Sequence, residues 1–232
     1  MRCLFLSDAH YPLSKRIVDF LLYAYYDYDA IYILGDLFEF FYGYKDFFYS
    51  HHLPLLNALS MIAEKRKVVL IEGNHEYALE NIKQFIKAEI VPSFADIEID
   101  GLKIHIGHGD TIDKKDLGYR LFRAFLKNPV TLSAIEHLNP ACLLELSKRA
   151  SEFSKRGLAS KGYRRVEEAL ERYACDRIER YGYDAVILGH THTPRMKKCK
   201  NGLYINTGDF FEHYSYVTYA KGIGFRINFF SK

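Results

Sequence analysis

The feature that most constrains this chain recurs at five places, where a short apolar, strand-like run stops and hands over at once to an oxygen or nitrogen ligand. Ile31-Tyr-Ile-Leu-Gly-Asp36, Val68-Val-Leu-Ile-Glu-Gly-Asn74-His75, Leu102-Lys-Ile-His-Ile-Gly-His108 and Ala185-Val-Ile-Leu-Gly-His190-Thr-His192 all close on glycine. Cys3-Leu-Phe-Leu-Ser-Asp8-Ala-His10 does the same without it. Buried strands read as continuous apolar runs, and open α/β sheets collect their sites beyond the carboxyl ends of strands. Five such tips can therefore converge in one crevice. Strand alternation lets residues i and i+2 point the same way, so Asp8 with His10, and His190 with His192, can act as pairs.

The rest of the chain fits this frame. Ser14 to Tyr26 reads as a helix, with Ser14 as its cap and Ile17, Phe20, Leu21 and Ala24 at helical spacing. Leu53 to Ala63 and Ala78 to Ala88 read as further helices, and Phe38 to Tyr49 as a loop dense in aromatics that packs on the core. Asp100-Gly101 predicts a hairpin turn between two short strands, and Asn201-Gly202 a second one. From about 113 to 183 the pattern is helical throughout and rich in lysine and arginine. The expectation is one domain over residues 1–232 with a helical insertion at about 113–183.

A balance of 32 basic against 29 acidic residues argues against nucleic acid as a partner, because backbone binding needs a broad basic surface. Cys3, Cys142, Cys175 and Cys199 are scattered and read as unpaired structural residues, which suits a reducing cytoplasm. No apolar run approaches a membrane span and no leader segment is visible, so contact with the inner membrane surface would be peripheral.

The tips carry Asp8, His10, Asp36, Asn74, His108, His190 and His192, too many ligands for one ion with open positions. They suit two ions about 3.5–4 Å apart, an arrangement used for hydrolysis at phosphorus. Carboxylate, amide and imidazole without thiolate point to manganese, with iron or zinc as alternatives. His51, His52, His105, His137 and His213 fall outside the pattern and read as structural.

Asp8-x-His10, Gly35-Asp36, Gly73-Asn74-His75-Glu76, Gly107-His108 and Gly189-His190-x-His192 resemble, in order and type, the signature of the calcineurin-like metallophosphoesterases. The resemblance implies a sandwich of two mixed β-sheets flanked by helices, with the helical insertion as a lid. It implies Asp8, His10, Asp36 and His192 on one metal, and Asp36, Asn74, His108 and His190 on the other, with Asp36 bridging. It also implies a catalytic role for His75, oriented by Glu76.

Gly35-Asp-Leu-Phe-Glu39 and Gly109-Asp110-Thr111, followed by a long basic helical stretch, are similar to the UDP-2,3-diacylglucosamine hydrolases of lipid A synthesis. That resemblance implies a nucleotide-sugar lipid as substrate, cleaved to 2,3-diacylglucosamine 1-phosphate and UMP. It implies Asp116, Tyr119, Arg123 and Lys161 as substrate contacts. Another phosphodiesterase or phosphatase of the same fold, acting on nucleotides or nucleic acid, is the alternative. A non-catalytic scaffold would have lost ligands, and none is missing.

Overall fold

The computed structural model describes residues 1–43, 46–113 and 163–231, with isolated positions between 121 and 145. In chain order the first half comprises β1 (Arg2–Leu6), α1 (Arg16–Asp27), β2 (Ala30–Ile33), β3 (Phe41–Tyr42), α2 (Asp46–His51) and α3 (Leu53–Ala63). There follow β4 (Lys67–Ile71), β5 (Glu76–Tyr77), a 3-10 turn (Leu79–Gln84), β6 (Glu89–Val91), β7 (Phe94–Ile99) and β8 (Leu102–Gly107). After the insertion come α4 (Tyr163–Tyr181), β9 (Ala185–Leu188), β10 (Arg195–Cys199), β11 (Gly202–Asn206), β12 (Ser215–Ala220) and β13 (Gly224–Phe229).

Two mixed sheets form, in the orders β13-β12-β1-β2-β4-β6 and β10-β11-β9-β8-β7, with a small β3-β5 pair beside them. Alternation along the strands builds the layers. Cys3, Phe5, Ala30, Tyr32, Val69 and Ile71 of the first sheet share one apolar cluster with Ile104, Ile106, Ala185, Ile187 and Ile205 of the second. Leu4, Leu6, Ile31, Ile33, Val68 and Leu70 face the other way, into a cluster with α1 and α3. Helix α4 covers the outer face of the second sheet with a stripe of Val166, Leu170, Ala174 and Ile178, each three or four residues from the next turn's contact, while its other faces are charged.

β1, β2 and β4 run parallel, as do β8 and β9, with Leu6 beside Ile33, Ile33 beside Leu70 and Gly107 beside Leu188. Their carboxyl ends therefore finish together.

Several local expectations shift. Ser14 does not cap α1: Lys15 holds that position without a side-chain cap bond, and Ser14 is buried. The helix expected over 78–88 is confined to the 3-10 turn, because Ala78 enters at a left-handed φ of 55° and β6 begins at Glu89. The second hairpin turns on Lys200-Asn201, one residue early, since Cys199 pairs with Gly202. Asp100-Gly101 turns as expected, between Ile99 and Leu102. The cysteines are not all unpaired: a disulfide joins Cys175 on α4 to Cys199 on β10, while Cys3 and Cys142 are free. In the aromatic loop, Phe38, Phe41, Tyr42, Phe48 and Tyr49 are buried against the core. Among the described residues no helix is long and apolar enough to cross a membrane.

Candidate metal centre

The five tips meet because the loops after the strands are laced to one another. Asp8 N donates to Gly35 O at 3.0 Å, His10 N to Asp36 O at 3.0 Å, Phe41 N to His75 O at 3.0 Å and Gly189 N to His108 O at 3.0 Å. Each chain leaves its strand through a sharp turn. Asp8, His10, Asp36, His190 and His192 have φ values of 53°, 48°, 51°, 74° and 56°, the left-handed region where a side chain costs about 1–3 kcal/mol. Five of the residues expected as metal ligands thus sit in a conformation that proteins keep chiefly where function needs it.

Glycine is required at two of the tips. At Gly35, φ is +91° and a Cβ would stand 2.6 Å from Nδ1 of His108; at Gly73 a Cβ would fall on the carboxylate of Asp36. The ligands approach so closely that only a bare backbone fits between them.

Two groups of donor atoms share Asp8: Asp8 with His10 and His192, and Asp8 with Asp36 and His108. His192 Nε2 lies 3.2 Å from Asp8 Oδ1, and His108 Nε2 lies 3.3 Å from Asp36 Oδ2. Asn74 Oδ1 accepts from His108 Nε2 at 3.0 Å, and the His190 ring sits 5.0 Å from that of His108. His75 is beside them, its Nε2 3.8 Å from Asp36 Oδ2. All seven expected ligands and His75 thus lie together at the strand ends. Asp116, Tyr119, Arg123 and Lys161 lie outside the described residues.

The electrostatics suit cations. Burial pushes the Asp8 carboxyl up, but the imidazoles of His192 and His108 outweigh it and hold it at about 2. Burial also opposes ionisation of Asp36, and His108 and His75 hold it well below the usual carboxylate range. His108, disfavoured as a cation by burial, is raised to about 10 by Asp36. His190 goes the other way, down to about 4, through burial and the charge of His108. Two buried carboxylates thus draw in positive charge, which protons on imidazole supply when no ion does; metal binding would release them. Asp8 Oδ1 and both ring nitrogens of His10 are buried without a well-directed hydrogen bond, with His192 3.2 Å from the first and Glu39 3.0 Å from Nδ1 of the second. Buried polar atoms are normally satisfied, so these orphans fit coordination to an ion.

A further shell orients the ligands. His108 Nδ1 donates to Leu34 O at 2.9 Å, which turns Nε2 toward Asp36. Glu76 does not orient His75, as its place in the motif implied. Its buried carboxylate accepts from the backbone N–H groups of Asp36, Leu37, Phe38 and Gly73 at 2.7–3.2 Å, clamping the Asp36 turn to the Asn74 turn. Burial and the charge of Asp36 raise it to about 7. The partner of His75 is the backbone carbonyl of Glu39, which accepts from Nδ1 at 2.6 Å. The Glu39 carboxylate meets His10 Nδ1 at 3.0 Å, a contact that strand-tip spacing could not disclose because Glu39 stands beyond the tip.

The histidines set aside as structural behave so. His105 bonds Asp96 at 2.6 Å and the Tyr173 hydroxyl at 3.0 Å; buried His52 donates to Phe40 O at 3.1 Å. His213 pairs with Asp209, and His51 and His137 are exposed.

Comparison with known proteins gives the family. The family model for calcineurin-like phosphoesterases matches residues 1–194. The UDP-2,3-diacylglucosamine hydrolase of Shewanella baltica is 30% identical over 96% of this chain and 95% of its own. The enzyme of that name from Shewanella pealeana is 27% identical over 95% of both chains. A solved phosphoesterase from E. coli covers 95% of this chain and 89% of its own, with a TM-score of 0.49 and 16% identity. The converging tips, the orphaned ligand atoms and a family match over most of the length lead to one conclusion: the chain belongs to the calcineurin-like phosphoesterases and is a metal-dependent phosphoester hydrolase.

Proposed function

We propose that the chain hydrolyses the pyrophosphate of UDP-2,3-diacylglucosamine, giving 2,3-diacylglucosamine 1-phosphate and UMP. The observation that carries the reading is the clustering of donor atoms from Asp8, His10, Asp36, His108 and His192, within a chain aligned along about 95% of its length with hydrolases named for that substrate. One ion is assigned to Asp8, His10, Asp36 and His192 and a second to Asp36, Asn74, His108 and His190, with Asp36 between them. Manganese is the proposed metal, since the donors are oxygen and imidazole nitrogen without thiolate.

When bound, two divalent ions neutralise phosphate charge and make water a nucleophile near neutral pH. Hydrolysis forms a bond from the water oxygen to phosphorus as the bridging P–O bond breaks, and the displaced phosphate oxygen needs a proton or a positive neighbour. His75 is assigned that task. With Nδ1 committed to the Glu39 carbonyl, its proton chemistry runs through Nε2, which faces Asp36. Glu76 holds the turns that carry Asp36 and His75 in register. Asp116, Tyr119, Arg123 and Lys161 in the insertion are the proposed contacts to the second phosphate and the nucleotide. The acyl chains would lie against the insertion's apolar side chains, among which Leu121, Phe125 and Val130 are exposed. That surface also fits peripheral contact with the membrane holding the substrate.

The test is release of UMP from UDP-2,3-diacylglucosamine by the purified protein with added manganese, beside a water-soluble UDP-sugar and a chromogenic phosphodiester. Cleavage of the lipid in strong preference is expected. Turnover of the simple diester with none of the lipid would overturn the substrate assignment and leave the di-metal chemistry standing.

A further inference from the structure

The imidazoles of the centre are oriented in two different ways. His108 and His75 are each fixed by a hydrogen bond from Nδ1 to a backbone carbonyl, those of Leu34 and Glu39. His10 makes no ring hydrogen bond, and its Nδ1 only meets the Glu39 carboxylate off the hydrogen-bond direction. Its orientation rests on that carboxylate and on packing against His75 at 4.8 Å and Phe211, and the Phe211 ring also packs on His192. Phe211 stands edge-on to His10 at 5.4 Å and 87°, and to His192 at 5.4 Å and 85°.

Phe211 is itself held to an unusual degree for a half-buried loop residue. Asp209 is fully buried, and its Oδ1 accepts from the N–H groups of Phe211, Glu212 and His213, while Oδ2 takes the His213 imidazole. Phe210 N donates to the carbonyl of Asp8 at 3.0 Å, and the Phe210 ring is buried against Phe20 and Phe230. Ser215 closes the other end of the loop, donating to Thr207 O at 2.7 Å. The backbone on both sides of Phe211 is therefore tied, one tie running to a ligand residue, and the ring has a fixed place.

We infer that Phe211 is a positioning residue for the ion assigned to Asp8, His10 and His192. Its ring sets the planes of His10 and His192, two of the imidazoles without a carbonyl partner, and closes that flank to water. Apolar walls around a metal site control solvent access, and changes outside the ligands typically cost about 10–100-fold in metal affinity. The inference rests on the two-ion reading proposed above.

The test is calorimetric titration of the metal-free protein with manganese chloride, for wild type, Phe211→Ala and Phe211→Tyr, with a melting curve of each metal-free protein. The expected result is that Phe211→Ala weakens one of two binding steps about tenfold or more and leaves the other unchanged. Phe211→Tyr, which keeps the ring, restores the weakened step. Two unchanged steps in Phe211→Ala would overturn the inference. So would both steps weakening together with a fall in melting temperature, which is the behaviour of a packing residue. If wild type takes up a single ion, the two-ion reading fails, and the role of Phe211 is then decided by whether Phe211→Ala weakens that ion.

Discussion

Mild acid should loosen the loop that carries Asp36 through a residue that binds nothing. His52 is 1% exposed, and burial drives its imidazole from 6.5 down to about 4. The folded state thus binds fewer protons than the unfolded state. Its contribution is fully present above pH 6.5, is lost as pH falls, and is gone at about pH 4. The whole span corresponds to about 3 kcal/mol, and at pH 5 about 2 kcal/mol is already lost. Neutral His52 holds the Phe40 carbonyl and packs on Phe38, so the segment beyond Asp36 is what protonation disturbs. Replacing His52 by Phe keeps a ring and gives up that hydrogen bond, at a cost of about 1 kcal/mol at pH 7. At pH 5 the wild type carries the proton penalty and the variant does not, so the order should reverse, with His52→Phe ahead by about 1 kcal/mol. Urea unfolding of both proteins at the two pH values measures this, and differencing cancels every other titrating group. A gap between the two proteins that is the same at pH 5 and pH 7 would refute the reasoning.

Three further outcomes are expected. His75→Ala should retain its full metal content while turnover falls roughly 10²–10⁴-fold, and loss of metal would contradict its place outside the ligand set. Gly73→Ala drives a Cβ onto the Asp36 carboxylate and should lower stability by about 1–3 kcal/mol along with activity; a wild-type melting curve and rate would show that the turn yields freely. Under denaturing, non-reducing conditions the chain should show two free thiols, Cys3 and Cys142, and cutting the bridge across its separation of 24 residues should cost about 3 kcal/mol. Four reactive thiols in carefully oxidised protein would remove the pair.

What could be read from the sequence was what depends on local pattern. A buried strand ending on a ligand type is a one-dimensional signal, and parallel strands in one sheet bring such ends together by topology. Asp8, Asp36, Asn74, His108 and His190 were visible for that reason, and the layers followed from the same alternation. The residues that serve the site from outside the tips carry no such signal. Glu76 sits inside the motif, yet its four backbone partners come mostly from a turn some forty residues earlier, which a motif reading cannot reveal. Asp209 does end a strand-like run, Leu203-Tyr-Ile-Asn206-Thr-Gly208-Asp209, but its carboxylate turns back onto its own loop, and the neighbours of Phe211 are fixed only once the last strands are in place. The Cys175–Cys199 pair depends on the rotation of α4 about its axis against an edge strand. Ser14 shows the opposite failure: a residue with the right chemistry for a cap is used by the core instead.

The tie between the first and last tips has a consequence for how the protein comes to exist. Ser7 bonds Thr207 at a separation of 200 residues, and Asp8 accepts from Phe210 at a similar distance along the chain. Contacts so remote in sequence form late, because their loop-closure entropy must be met before they return anything. A growing chain emerging from the ribosome therefore lacks this centre until roughly its two-hundred-and-tenth residue is free. The strand ends that carry Asp36, Asn74 and His108 are made long before the segment that ties Asp8 down, so the last stretch of chain completes the site rather than decorating it.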